Sequence, residues 1–278
     1  MRNILIPTDF SDNSWNAIKY GLNYFVNTEC TFYLLHVTMY SYLINEDTAI
    51  TSGIKIDETL INKSKVDLEK LLEKVKNIDK NKNHHFKLLN SYNFFIDAVK
   101  SQIKENNIDF IVMGTKGASG LSEIIIGSNT ADLITQVKCP VLIVPENSKY
   151  KIPREIAFPT DYNIYYNPDI LLEILNLAKR NLSSLRILHV GRKGEELTDF
   201  QIENKEFLSN FFANENHSFH FITNKKIEQG IQCFVESRDV DMIVMIAKNI
   251  NLFQRILFKP TVEDISYHTE IPFLVLHE

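Results

Sequence analysis

Apolar and polar positions along this chain follow two periods. Short apolar runs near 3–7, 31–37, 84–89, 109–113 and 141–145 have the length and composition of buried strands. Between them lie amphipathic stretches. Trp15, Ile18, Leu22 and Phe25 step by three and four, which predicts a helix over 11–27 with one buried stripe. Ser11 suits its N-cap and Asp12 its first turn. The segment 57–78 sets Ile61, Leu68, Leu71, Leu72 and Val75 against a face of Lys and Glu that reads as solvated surface. A third helix over 93–106 runs through Phe95, Ala98, Val99 and Ile103, and 128–137 reads as a short fourth. Apolar strands alternating with helices imply a parallel sheet covered on both faces. Ligands on such sheets sit beyond the carboxyl ends of the strands. Asp9, Val37 and Gly114 all fall at strand ends, so one crevice can contain all three.

The pattern then repeats. Ile156-Ala-Phe-Pro159-Thr160-Asp161 echoes Leu5-Ile-Pro7-Thr8-Asp9, and Leu185-Arg-Ile-Leu-His189-Val190 echoes Phe32-Tyr-Leu-Leu-His36-Val37. Asp241–Met245 echoes Asp109–Met113, and Ile271–Leu276 echoes Cys139–Val144. Four matches in order mark a duplicated domain. Pro145 and Pro153 bracket a polar, lysine-bearing stretch between the copies, which sets expected domains at 1–147 and 152–278. The closing strands of the two copies are short, apolar and uncharged. Left at sheet edges they would aggregate, so an antiparallel pairing of 141–144 with 273–276 is expected.

Four of the nine glycines fall within Gly114-Thr-Lys-Gly117-Ala-Ser-Gly120-Leu-Ser-Glu-Ile-Ile-Ile-Gly127, between a strand and a helix start. Glycines let backbone N–H groups approach an anion, and a helix N-terminus adds free donors and partial positive charge. The loop is neither a Walker A motif nor a dinucleotide G-x-G-x-x-G. Its spacing, Gly114-x2-Gly117-x9-Gly127-Ser128, resembles the ATP-binding signature of the universal stress protein family. Ile4–Ser11, Tyr33–Val37 and Cys139–Pro145 resemble that family's first, second and closing strands, so the resemblance covers about residues 1–147. It implies two tandem Rossmann-like (adenine nucleotide α-hydrolase-like) α/β domains, each a five-stranded parallel sheet flanked by helices. By the same resemblance Asp9 lies beside the adenosine, with Pro7 and Thr8 next to it. The backbone at Val37 and the edge of Met113 border adenine. Gly114, Gly117, Gly127 and Ser128 meet phosphate, with Asn129 and Thr130 as its neighbours. The cofactor implied is ATP, with or without Mg²⁺. Single-domain members pair through the closing strand, so the tandem forms an intramolecular pseudo-dimer and leaves a homodimer of the whole chain open.

Plainer roles stand beside these. Asp9 suits a turn or cap, Ser128 a helix cap, Val37 and Met113 core packing, and the glycines positive φ. Gly120 lies outside the signature, and Lys116 reaches toward the phosphates without being part of it. His36 and His189 recur at matching positions, which points to a shared structural role. In the second copy Ile246, Asn249, Lys259 and Pro260 stand opposite Gly114, Gly117, Gly127 and Ser128, so its fold is kept and its cradle lost. Thr261 and Asp264 still suit the start of a helix there. Lys248, Arg255 and Lys259 are solvated charge, or hold another anion or an acidic partner.

Composition narrows the rest. A net charge of −5 and a pI near 5.9 argue against nucleic acid. No apolar run approaches a membrane span. The N-terminus reaches an acid too soon for a signal peptide, and Cys30, Cys139 and Cys233 read as buried, reduced thiols, which together suggest a cytoplasmic protein. No metal-ligand spacing is present. The loop lacks paired carboxylates and a Walker lysine, so the expected role of ATP is regulatory, in a stress response with an unidentified protein partner. The alternatives are a slow Mg-dependent ATPase and an interaction module that binds no nucleotide.

Overall fold

The computed structural model describes residues 1–39, 58–115, 127–247 and 270–277. The first half runs β1 (Arg2–Pro7), α1 (Asp12–Tyr24), β2 (Cys30–Thr38), α2 (Glu58–Ile78), β3 (His84–Tyr92), α3 (Phe95–Asn106), β4 (Phe110–Gly114), α4 (Ser128–Gln136) and β5 (Val141–Val144). The second runs β6 (Glu155–Pro159), α5 (Pro168–Asn181), β7 (Ser184–Gly191), α6 (Asp199–Phe211), β8 (His217–Thr223), α7 (Ile227–Ser237), β9 (Met242–Ile246) and β10 (Phe273–Leu276). The strands and helices expected in the first half are all there, with shifted ends; the helix expected from Thr261 lies outside the described residues. The first helix stops at Tyr24 rather than at 27, with Phe25 as its C-cap at φ −102°. The β-branched Val26 and Thr28 that follow are poor helix formers.

All ten strands form one sheet, in the order β3-β2-β1-β4-β5-β10-β9-β6-β7-β8. Each half is parallel, as the alternation of strands and helices predicts. The joint is antiparallel: Leu274 lies opposite Leu142, flanked by Phe273 with Ile143 and Val275 with Val141. This is the edge pairing expected from the two uncharged closing strands. Around it, Asn16 Nδ2 donates to the carbonyls of Pro145 (3.1 Å) and Ser148 (2.8 Å), holding the connecting segment on α1. Tyr150 sets its ring edge-on to Tyr20 at 5.2 Å, and Arg180 lies over the Tyr24 ring at 4.9 Å. His277, just past β10, donates from Nε2 to the Ile134 carbonyl in the last turn of α4 at 2.7 Å.

Two apolar layers flank the sheet. One joins α1, α2, α5 and α6 through Ile18, Leu71, Ile174 and Leu208; the other joins α3, α4 and α7 through Val99, Leu133 and Phe234. Both layers run through both halves. Cys30 and Cys139 are buried, and burial pushes their thiols up to about 11 and about 12. Cys233 corrects the expectation of three buried thiols, for it is exposed. On α7 the inward stripe is Ile231, Phe234 and Val235, which turns position 233 outward.

Candidate functional site

Strand order reverses direction between β1 and β4, and α1 and α4 leave the sheet on opposite faces there. Such a switch point opens a crevice beyond the strand ends. A cavity of about 150 Å³ occupies it, lined by Pro7, Thr8, Asp9, Val37, Met113, Gly114, Gly127, Ser128, Asn129 and Thr130. These are the residues expected from the sequence, except Gly117, which lies outside the described residues. Lys116, Gly120, Lys248, Asn249, Arg255, Lys259, Pro260, Thr261 and Asp264 lie outside them too. Ser14, Leu35 and Phe95 complete the lining and were not anticipated. Each had a signal. Ser14 is one turn before Ile18 on the inward face of α1, Leu35 is two residues before Val37, and Phe95 opens the apolar stripe of α3.

The turn after β1 is built by its own side chains. Thr8 Oγ1 accepts from Phe10 N at 3.1 Å and shares a hydrogen bond with Ser14 Oγ at 3.1 Å. Asp9 Oδ1 accepts from Ser11 N (3.1 Å) and Ser11 Oγ (2.5 Å), while Ser11 caps α1 by accepting from Ser14 N. Phe10 is left at φ 65°, a conformation costing a non-glycine residue roughly 1–2 kcal/mol. The second half repeats it: Tyr162 has φ 57°, and its N–H donates to Thr160 Oγ1 at 3.0 Å. His36 Nδ1 donates to the Thr8 carbonyl at 2.9 Å, and His189 Nδ1 to that of Thr160 at 3.0 Å. A carbonyl can only accept, so each Nδ1 carries the proton. The two histidines share a structural role, as their recurrence suggested.

The glycines act differently from the positive-φ reading. Gly127 sits at φ −64°, which any residue adopts. Gly114 is needed for space, since a Cβ there would lie 2.6 Å from Asn13 Oδ1. Its carbonyl accepts from Thr130 Oγ1 at 3.1 Å, and Gly127 N donates to Thr115 O at 2.7 Å. These two bonds tie the start of α4 to the end of β4. The helix cap is Gly127 rather than Ser128, which is the first helical residue and is exposed. A serine or aspartate at the cap would accept from the N–H groups of the first turn. Glycine has no acceptor on its side chain, and Ser128 N and Asn129 N make no hydrogen bond among the described residues. Both residues line the cavity, so the positive end of the α4 dipole lies beside it.

At the matching place in the second half, the described residues leave far less space. Tyr166 stands six residues after Thr160, as Ser14 does after Thr8, and its hydroxyl reaches Thr160 Oγ1 at 2.5 Å. With Ile164, Met245 and Ile246 it leaves about 10 Å³. A whole ring and a branched side chain replace a hydroxymethyl group and a glycine.

The sequence model of the universal stress protein family matches residues 1–145. Universal stress protein MJ0531 of Methanocaldococcus jannaschii is 30% identical over 150 residues, spanning 53% of this chain and 84% of that protein. Universal stress protein MJ0577 of the same organism is 25% identical over 152 residues, spanning 51% of this chain and 94% of its own. A universal stress protein structure from Archaeoglobus fulgidus DSM 4304 superimposes over 99% of this chain and 96% of its own, with a TM-score of 0.66 and 19% identity, a likeness of fold along both halves. With its family match over the first half and its parallel α/β fold, this chain belongs to the universal stress protein family.

Proposed function

We propose that this chain binds one adenine nucleotide, ATP, in the cavity of its first half, and that the bound nucleotide regulates a stress response instead of being turned over. The observation that carries the reading is the start of α4: N–H groups behind a glycine cap, without a hydrogen bond among the described residues, beside a cavity at the switch point of the sheet. Apolar Val37, Met113 and Phe95 suit a base, and the donors of Ser128 and Asn129 suit phosphate. About 150 Å³ is below the roughly 300–1000 Å³ of pockets that enclose whole ligands, so the base is enclosed and the phosphates run out along α4. We place the boundary between a binding domain, 1–147, and a nucleotide-free domain, 152–278, in the segment that Asn16 holds.

Against turnover stands the lining itself. Asp9 is its one ionisable side chain among the described residues, and its Oδ1 is held by Ser11. A turnover well below the roughly 1 per second of ordinary enzymes is expected, with or without Mg²⁺. The decisive experiment is calorimetry with ATP on protein stripped of co-purified nucleotide, which mass spectrometry identifies beforehand. One site per chain is expected. Two sites, or none at millimolar ATP, would sink the reading.

A further inference from the structure

The sheet ends at β8, and among the described residues no strand pairs with its outer edge. Leu185 N donates to Asn216 O at 2.8 Å, and Asn224 N to Gly191 O at 3.0 Å. Along a strand, successive residues turn their backbone groups to opposite edges, so the even-numbered residues of this stretch face β7. His217, Phe219, Phe221 and Thr223 turn N–H and C=O outward, and no backbone partner meets them among the described residues.

Nothing in the strand guards that edge. Its sequence, His-Ser-Phe-His-Phe-Ile-Thr, contains no proline, glycine, lysine, arginine or carboxylate. Proteins blunt open edges with such residues. The opposite edge strand, β3, has Lys87 near its middle. Phe221 is 54% exposed, yet its ring is fixed, stacked at 5.4 Å on His189, which stacks at 5.2 Å on Tyr162. Phe219 packs on the same side of the sheet, against the layer that includes Leu208.

We propose that β8 pairs antiparallel with β8 of a second copy of this chain, about a two-fold axis at His220. In that register Phe219 opposes Phe221 of the partner subunit, and His217 opposes Thr223 of the partner subunit. Every outward N–H and C=O of the strand then has a partner in a hydrogen-bonded pair, and His220 falls at a non-hydrogen-bonded position on the axis. The aromatic pairs stabilise the joint from one face of the sheet. The absence of fixed charge is what permits a strand to lie against itself, since a two-fold axis sets like charges together. The chain already contains one joint of this kind: β5 and β10 meet antiparallel and are also free of charged side chains.

Sedimentation equilibrium on the full chain tests this, with an expected mass twice 32.2 kDa at micromolar concentration. Phe221→Lys changes an exposed side chain, so it should return the mass to 32.2 kDa with an unchanged far-ultraviolet dichroism spectrum. His220→Cys, in a Cys233→Ser background, tests the register. Directly opposed non-hydrogen-bonded positions lie about 4.5 Å apart at Cα, within disulfide range, so oxidation should give a covalent dimer. A monomer at about 100-fold higher concentration than the micromolar start would overturn the proposal, and would leave the edge to a strand from another protein. So would a dimer that survives Phe221→Lys and shows no crosslink through position 220.

Discussion

Leu142→Asp is expected to remove on the order of 5 kcal/mol of folding stability, enough to leave much of the chain unfolded or aggregated at 37 °C. Leu142 is fully buried, and its cross-strand neighbour Leu274 is 3% exposed. Deleting a buried leucine side chain costs about 2–5 kcal/mol through lost burial and the cavity left behind. The carboxylate adds the cost of burying a charge in an apolar cluster. Leu142→Ala isolates the first contribution and should cost about 2–5 kcal/mol in urea denaturation. Position 142 is not among the residues lining the proposed nucleotide cavity, so the Ala variant should still bind the one nucleotide proposed per chain. A loss below about 1 kcal/mol for the Asp variant would mean that the two halves do not depend on this joint.

Leu142 and Leu274 also show how far the sequence carries. An uncharged closing strand in each copy is a problem with few solutions, and antiparallel pairing solves it for both at once. The inward stripe of α1 was legible because burial enforces a helical period. The end of α1 was not, because no glycine or proline marks it and local turn geometry decides. The left-handed turn at Phe10 was hidden for a stronger reason. Phenylalanine disfavours positive φ, and the Thr8 and Asp9 side-chain bonds, with the Phe10 ring packed on His36, hold it there. Tyr162 repeats the turn in a half whose described residues leave only about 10 Å³ there, so the strain belongs to the strand-to-helix connection and not to the ligand.

The candidate site was legible wherever residue type alone decides. Strand ends brought Asp9, Val37 and Gly114 to one crevice before any coordinates did, and the family resemblance added Met113. Why Gly114 must be glycine was not legible, because the reason is Asn13, about a hundred residues earlier in the chain. The helix cap was misplaced by one residue for a related reason. Ser128 is a good capping residue by type, but the bond from Gly127 N to Thr115 O sets where the helix starts. That shift gives Gly127 its importance, since a glycine cap offers no side-chain acceptor to the N–H groups of Ser128 and Asn129.

Gly127→Asp is accordingly expected to separate stability from binding. Its backbone, at φ −64° and ψ 156°, accepts aspartate without strain. As an N-cap, aspartate is better than glycine by a few tenths of a kcal/mol, and its charge suits the positive end of α4. The folded state should be unchanged or slightly more stable. The same carboxylate would accept from the N–H groups of the first turn, the donors proposed to meet phosphate, and would set a negative charge beside the nucleotide. Nucleotide affinity should fall by roughly 100-fold or more, about 2.7 kcal/mol. Gly127→Ala adds bulk without charge or an acceptor, and should retain most of the binding. Calorimetry gives the affinities, and thermal denaturation without nucleotide gives the stabilities. Equal losses of binding in both variants would assign Gly127 to close packing against the ligand. An Asp variant that binds as tightly as the parent would place the phosphates away from α4 and overturn the proposed site.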